Sequence, residues 1–224
     1  DAIGQYRGKR AVVFYHRNCA DGALAACIAQ KARMESHDRV VLVPIVPQAT
    51  AAIAPLAHHA DVTMLDVCVQ GPVLDAIHEV SHSFVVLDHH ESSHQYAKGR
   101  PFVTVDTTHS GAALAYHHFV QRTPHLPVLV KYVEDMDLYT NALKDVDVIQ
   151  MVLRRTTTPA GMEALQNEVA RHVMELIKMR GYKLLHVKKK TVEKYMAKAR
   201  TARLKKTPVL AVKVDRAHWP LIND

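Results

Sequence analysis

The sequence predicts an α/β domain in which helices flank a parallel β-sheet. Up to residue 119, short apolar segments alternate with longer segments that are rich in helix-forming residues. Several apolar segments end abruptly in an Asp or a His, as expected where the carboxyl ends of parallel strands meet a ligand site. This alternation favours right-handed crossovers between neighbouring parallel strands.

Five strands are predicted in this region, each a short apolar run: 10–15, 39–46, 62–65, 85–87 and 102–105. Helices are predicted between them where alanine, other helix formers or a 3.6-residue apolar period prevail: 23–34, 49–58, 71–82 and 110–119. Pro44 lacks an amide N–H, so it indicates that the second strand lies at an edge or ends there. Pro55 interrupts the short second helix.

From Pro127 onward the pattern is mostly helical. Helices are predicted over 128–134, 145–155 and 161–203, the last interrupted at Gly181. A final apolar run predicts a strand without a partner, so we expect it to begin a second domain. The predicted regions are an α/β domain at 1–145, a helical region with a basic linker at 146–206, and an incomplete domain at 207–224.

The net charge of +7 is concentrated near the carboxyl end of the chain. Residues 178–206, the basic arm, hold twelve of the 29 Lys and Arg residues but only one of the 22 acidic residues. Such a segment attracts polyanions, nucleic acid foremost; a solvated helix without a partner is the alternative. The candidate contact residues are Lys188, Lys189, Lys190, Arg200, Arg203, Lys205 and Lys206.

Composition favours an intracellular protein. No apolar run approaches the ~20 residues of a membrane span, so no membrane contact is expected. The three cysteines are widely and irregularly spaced, which is typical of a reducing compartment rather than of a disulfide framework. The chain begins at Asp1 without an initiator Met, which suggests a processed product, and we expect the mitochondrial matrix or the cytoplasm.

Ionisable residues follow the first, third and fourth predicted strands. They are His16 and Asp21, then Asp66, then Asp88, His89 and His90. Because parallel strands end at the same edge of a sheet, these side chains are expected to converge there. Carboxylates and imidazoles together suit a pair of divalent cations, one carboxylate bridging both. A histidine-rich surface turn is the alternative, since His pairs also occur elsewhere in the chain.

These residues resemble the motifs of the DHH phosphoesterase family. Asp88-His89-His90 resembles its signature, and the YHRNCADG sequence at 15–22 resembles its first motif in an HxNCxDG form used by small oligonucleotide-hydrolase-like members. Further similar segments are Leu65-Asp66, Asp106 with Ser110-Gly111-Ala112, and YVEDMDL at 132–138. The resemblance extends from about residue 11 to residue 140.

The resemblance implies a hydrolase with two Mn²⁺ ions, or Mg²⁺ in their place, that cleaves phosphodiester or phosphoanhydride bonds, most often in short oligonucleotides. It implies that His16, Asp21 and His89 are metal ligands and that Asp66 bridges the metals. It implies that Asp137, with Asp135 as the alternative, completes the second site. His90 would face the substrate phosphate, and Asp88 would orient a histidine.

Two features depart from the family pattern. Cys19 stands where many members have a carboxylate, and a thiolate ligand suits softer cations than Mn²⁺. The strand at 207–214 would begin the DHH-associated domain, of which the sequence has only this start. Two hypotheses follow: an active phosphodiesterase or oligonucleotide exonuclease, or an inactive relative that serves as an assembly subunit of a ribonucleoprotein such as a mitochondrial ribosome precursor.

Overall fold

The computed structural model describes residues 9–120, 126–170, 174–204 and 207–214. Five parallel strands form one sheet in the order β2-β1-β3-β4-β5, with helices on both faces, so the predicted fold class is confirmed. The strands are β1 (Arg10–His16), β2 (Arg39–Ile45), β3 (Asp61–Leu65), β4 (Ser83–Asp88) and β5 (Val103–Val105). Pro44 lies in β2, which is an edge strand, where its missing N–H leaves no ladder bond unmade.

Four helices connect or follow these strands: α1 (Ala20–Met34), α2 (Gly71–Val80), α3 (His94–Ala97) and α4 (Gly111–Phe119). The segment at Ala51–Ala57, which contains Pro55, is a 3-10 helix. Alternate strand residues face opposite layers, so Val13 and Leu65 pack against α1 and α4 whereas Phe14 and Met64 pack on the other face. Because the central strands are buried on both faces of the sheet, their sequences are continuous apolar runs.

The helical second part begins with α5 (Val128–Asp137), α6 (Val146–Leu153) and α7 (Pro159–Ala170). Ile149 of α6 and Met162 of α7 are buried in the same hydrophobic cluster as the inner face of α1. The helices α6 and α7 therefore continue the core of the α/β layer. The domain boundaries proposed above stay predictions.

The helical stretch predicted over 161–203 is confirmed for the described residues 161–170 and 174–196 and is wrong at its carboxyl end. The chain forms α7, then α8 (Met174–Met196), and then a strand, β6 (Arg200–Leu204). Gly181 does not interrupt α8; it lies inside the helix where α8 crosses α6, and a Cβ there would lie 2.2 Å from the carbonyl oxygen of Val148. Glycine is present because two backbones approach closely, a reason that helix propensity does not reveal.

The terminal strand is not alone. β7 (Thr207–Ala211) pairs antiparallel with β6, with Arg200 opposite Ala211 and Leu204 opposite Thr207. The strand β6 was missed because its sequence, RTARL, carries too few apolar residues to stand out from the basic arm. None of the helices within the described ranges is both long and apolar enough to cross a bilayer.

Candidate metal centre

The carboxyl edge of the sheet collects the ionisable residues. His16 is the last residue of β1, Asp66 follows β3 directly, and Asp88 is the last residue of β4. Asp21 lies in the first turn of α1, and Asp137 is the last residue of α5. Parallel register brings the strand ends together, and the two helix ends are added by packing of α1 and α5 against that edge.

Two groups of side chains could each hold a cation. In cluster one, His16, Asp66 and His90 each offer a donor atom, and these atoms lie within 4.8 Å of one another. In cluster two, Asp21, His89 and Asp137 do the same within 4.8 Å. Each group combines imidazole with carboxylate, the donor set that manganese, zinc and iron accept.

Asp66 connects the two clusters. Its Oδ2 lies 3.5 Å from His16 Nδ1, whereas its Oδ1 lies 3.1 Å from His89 Nε2. A carboxylate whose two oxygens face different groups of donors has the arrangement of a bridging ligand. The backbone supports this orientation at a cost, because Asp66 has a φ of 57°, in the left-handed region.

Two buried atoms in cluster one lack a hydrogen-bond partner among the described residues. They are His16 Nδ1 and Asp66 Oδ2, which face each other at a distance too long for a good hydrogen bond. An unsatisfied buried polar atom costs about 1–3 kcal/mol, so natural structures keep few of them. A cation bound by both atoms would satisfy the pair, and the residues present therefore fit a metal ion.

Two glycines allow the site to close. A Cβ at Gly22 would lie 2.6 Å from the carbonyl oxygen of His16, and one at Gly111 would lie 2.5 Å from Cβ of Asp66. Contacts this short would push α1 or α4 away from the strand ends. Glycines at the amino ends of α1 and α4 are thus required by close packing around Asp66.

Asp21 is held by the amino end of α4. Its carboxylate accepts hydrogen bonds from the backbone N–H groups of Gly111 at 2.6 Å and Ala112 at 2.8 Å. Unpaired N–H groups and the helix dipole favour an anion at this position. Burial, with the charges of Asp66 and Asp137, nevertheless raises the pKa of Asp21 well above its ordinary value. The site is therefore a crowded group of carboxylates that a cation would relieve.

The carboxylates also raise the pKa of His89, and here the shift favours the charged form of the side chain. Burial lowers the pKa of His89, but the hydrogen bond and charge of Asp66, with Asp21 and Asp137, outweigh burial and raise it to about 9. Burial likewise acts to raise the pKa of Asp66, but its contacts with His16 and His89 hold that pKa below the ordinary value. Burial and the charge of Asp66 raise the pKa of Asp137.

Asp88 positions His90. The buried carboxylate accepts hydrogen bonds from the His89 backbone N–H at 2.9 Å and from the Ser93 hydroxyl, and one oxygen lies 2.8 Å from His90 Nδ1. This contact leaves Nε2 of His90 as the available ring nitrogen. The hydrogen bond with Asp88 also raises the pKa of His90. Ser93 was not selected from the sequence, where an isolated serine carries no signal.

The structure offers His90 a second role beside the substrate contact that the resemblance implies. Its ring is grouped with His16 and Asp66 as a potential metal ligand, and the substrate contact stays a prediction. Its side chain is 44% exposed, so it could serve either as a ligand or as a contact to substrate.

Two alternative ligands lie outside both clusters. The Asp135 carboxylate accepts hydrogen bonds from the Thr140 hydroxyl and from the backbone N–H groups of Ala142 and Leu143, so it stabilises the turn after α5. Cys19 precedes α1, and burial together with the charges of Asp66 and Asp21 raises the pKa of its thiol. Without a bound cation, these effects favour the thiol over the thiolate that binds metals.

The basic arm divides between helix and hairpin. Lys189 and Lys190 are exposed on α8, Lys188 is half-buried there, and Arg200 is exposed in β6. Arg203 also belongs to β6, whereas Lys205 and Lys206 lie outside the described residues.

Comparison with known proteins identifies no family. Neither a protein-family model nor a curated protein matches the sequence. One similar solved structure is the crystal structure of an uncharacterized protein from Helicobacter pylori G27, which shares 12% identity over 89% of this chain and 74% of that chain, with a TM-score of 0.46. A likeness this loose carries no argument about function.

Proposed function

We propose that this protein is a metal-dependent phosphoesterase that hydrolyses phosphodiester or phosphoanhydride bonds, with short oligonucleotides as its substrates. The observation that carries the proposal is the position of Asp66, whose two oxygens face two separate groups of imidazole and carboxylate donors. Paired cation sites that share a carboxylate are typical of enzymes that cleave phosphate esters. The resemblance to the DHH phosphoesterase motifs supports the same reaction.

The donor set suits Mn²⁺, with Mg²⁺ as an alternative that accepts fewer imidazoles. His16, Asp66 and His90 would hold one cation, and Asp21, His89 and Asp137 the other, with Asp66 shared. When bound, the cations would neutralise phosphoryl charge and lower the pKa of water so that hydroxide forms near neutral pH.

The chain's own residues would supply orientation and charge. Asp21, fixed by the α4 backbone, and Asp66, fixed by its backbone conformation, keep the donors in place without substrate. Asp88 fixes the ring of His90 through Nδ1, so Nε2 can take one of two roles: ligand of the cluster-one cation, or donor to a phosphoryl oxygen. In the reaction, the oxygen of water bonds to phosphorus, the bond to the leaving oxygen breaks, and that oxygen takes a proton.

Cation binding and turnover test the proposal together. Titration calorimetry of the unsubstituted protein with Mn²⁺ should give two ions per chain, and a short RNA should be hydrolysed in the same buffer. Asp66→Asn should weaken both binding events and abolish turnover, because one amide cannot replace a shared carboxylate. Asp106→Asn is the matched control, since Asp106 accepts its hydrogen bonds from Thr108 outside both clusters. A protein that binds no Mn²⁺ and cleaves no substrate contradicts the proposal.

A second function is favoured by the basic arm. Twelve basic residues in residues 178–206, several of them exposed on α8 and β6, suit a subunit that binds RNA in a ribonucleoprotein without catalysis. That function requires neither cluster to bind metal, and RNA binding should then survive Asp66→Asn while no hydrolysis is detected with any phosphoester.

A further inference from the structure

A polar cavity of about 260 Å³ opens beside cluster two. Asp137, a member of that cluster, forms part of its wall together with Asn18 and Cys19 from the turn between β1 and α1. The lining also includes Tyr139 after α5 and Arg154 and Thr157 after α6. A group bound in this cavity would therefore lie next to the proposed reaction centre.

Arg154 supplies the positive charge in this wall. It follows α6 directly and its side chain is exposed. Within the part of the chain that the structure describes, its guanidinium makes no hydrogen bond or ion pair, so its donors are free for a ligand. The neighbouring Arg155 differs, because its Nη1 donates to the carbonyl oxygen of Met151 at 2.9 Å.

The charged and polar residues of the cavity wall indicate which class of ligand fits. The cations proposed for the two clusters would neutralise the phosphate that is hydrolysed, whereas a second phosphate in the cavity beside Asp137 needs a positive charge of its own. A guanidinium presents a planar set of donors that matches phosphate in two-point contact. Thr157 and Asn18 can add neutral hydrogen bonds, and Tyr139, 78% exposed, offers an aromatic surface at the rim.

The size of the cavity limits what it holds. Pockets for drug-sized ligands usually have about 300–1,000 Å³, and this cavity lies just below that range. It can take a phosphate with a small attached group, but it cannot take a run of nucleotides.

We propose that this cavity is a subsite for a second phosphate of the substrate, next to the phosphate that is hydrolysed, and that Arg154 binds it. The inference rests on the proposed phosphoesterase function and narrows its substrates to molecules with two neighbouring phosphates. The second phosphate belongs either to a phosphoanhydride, as in pyrophosphate, or to the 5′ end of a short oligonucleotide.

Kinetics with matched substrates test the subsite. The full chain, Arg154→Gln and Arg155→Gln are compared in Mn²⁺ on an adenine dinucleotide with a 5′-phosphate, on the same dinucleotide without it, and on pyrophosphate. Arg154→Gln should raise the KM for the 5′-phosphorylated dinucleotide roughly tenfold or more, the scale of one lost charge-assisted contact. It should leave the KM for the unphosphorylated dinucleotide unchanged, and Arg155→Gln should change neither value.

The three substrates distinguish the two possible sources of the second phosphate. A KM effect on the phosphorylated dinucleotide assigns the cavity to a 5′-terminal phosphate, and an effect on pyrophosphate alone assigns it to an anhydride. If Arg154→Gln and the unsubstituted protein have equal KM values for the 5′-phosphorylated dinucleotide and for pyrophosphate, the proposed subsite is overturned even though turnover persists. If nothing is hydrolysed, the proposed function fails, and calorimetry with pyrophosphate decides the subsite: binding lost only in Arg154→Gln supports it, and equal binding in all three proteins overturns it.

Discussion

Asp66 combines a buried carboxylate, a left-handed backbone conformation and an oxygen without a hydrogen-bond partner among the described residues. Each feature is unfavourable, and strain of this kind typically occurs at functional sites. Stability alone gives no reason to keep all three at one residue. Cation binding would supply such a reason, because the left-handed backbone places the two carboxylate oxygens of Asp66 toward different clusters.

His90 is the residue at which substrate contact and metal ligation can be separated. His90→Ala should slow hydrolysis roughly a hundredfold or more, the scale of losing one transition-state donor. Because His90 belongs to cluster one only, calorimetry should also show one weakened Mn²⁺ site and one unchanged site. His94→Ala, which removes an exposed histidine four residues away, is the control. Two unchanged Mn²⁺ sites would mean that His90 contacts substrate alone.

Asp61 is expected to make stability depend on pH at the opposite edge of the sheet. Burial by itself raises its pKa, but hydrogen bonds with Ser83 at 2.6 Å and His37 at 2.9 Å outweigh burial and hold the pKa below its ordinary value. The native state therefore binds this proton less readily than the unfolded state does. The stability that the ionised Asp61 contributes is therefore fully present above the ordinary carboxyl pKa of about 4. It is lost as the pH falls through the lower pKa that Asp61 has in the native state.

Asp61→Asn should consequently lower the free energy of unfolding by about 1–3 kcal/mol at pH 7, as expected when a buried hydrogen-bonding partner is lost. The difference between the two proteins should shrink below pH 4. Urea unfolding of both proteins from pH 7 to pH 3 measures it, with Asp38→Asn, whose carboxylate accepts from the exposed Lys9 backbone N–H, as the control. A difference that stays constant with pH would contradict the role given to Asp61.

At the scale of elements, the amino ends of α4 and α1 form the site jointly. The α4 backbone holds Asp21, and the glycine that begins α4 lies against Asp66. Helix ends and strand ends that are far apart in sequence thereby orient one another's side chains. The cost of any change in this contact should appear at the metal centre rather than in the core.

The crossing of α6 and α8 offers an element-scale prediction. Gly181→Ala adds a methyl group 2.2 Å from the Val148 carbonyl oxygen, so the helices must separate. The expected loss is about 1–3 kcal/mol of unfolding free energy, although alanine is the better helix former. Lys183→Ala, at an exposed position of α8, should change stability by no more than about 0.5 kcal/mol. Urea unfolding measures both, and a stabilised Gly181→Ala protein would show that this crossing is wrong.

At the scale of the whole molecule, the excess positive charge lies on different elements from the candidate metal centre. The carboxylates gather at one edge of the sheet, whereas the excess positive charge follows on α8 and the β6–β7 hairpin. Under the proposed function, a polyanion would be attracted by one part of the protein while its phosphate is hydrolysed at another.

Salt dependence tests the contribution of the basic arm. Replacing Lys188, Lys189 and Lys190 by Gln should weaken binding of a single-stranded RNA and make the slope of log K against log salt shallower by about two, because fewer counterions are released. The control protein carries Gln at three exposed lysines outside the arm: Lys98, Lys131 and Lys144. Equal slopes in both triple variants would show that the arm does not contact the phosphate backbone.

Local pattern in the sequence was enough to predict the sheet and the ionisable residues at its edge. Apolar runs interrupted by Asp or His mark strands whose ends share one edge, so local pattern alone predicts that His16, Asp66 and His89 converge. The tertiary structure alone decided the close helix crossing at Gly181, the pairing of β6 with β7, the exclusion of Asp135, and the cavity that brings Arg154 beside Asp137. Periodicity reports which face of an element is buried, but it contains nothing about distances between segments far apart in the chain, and those distances determine the site.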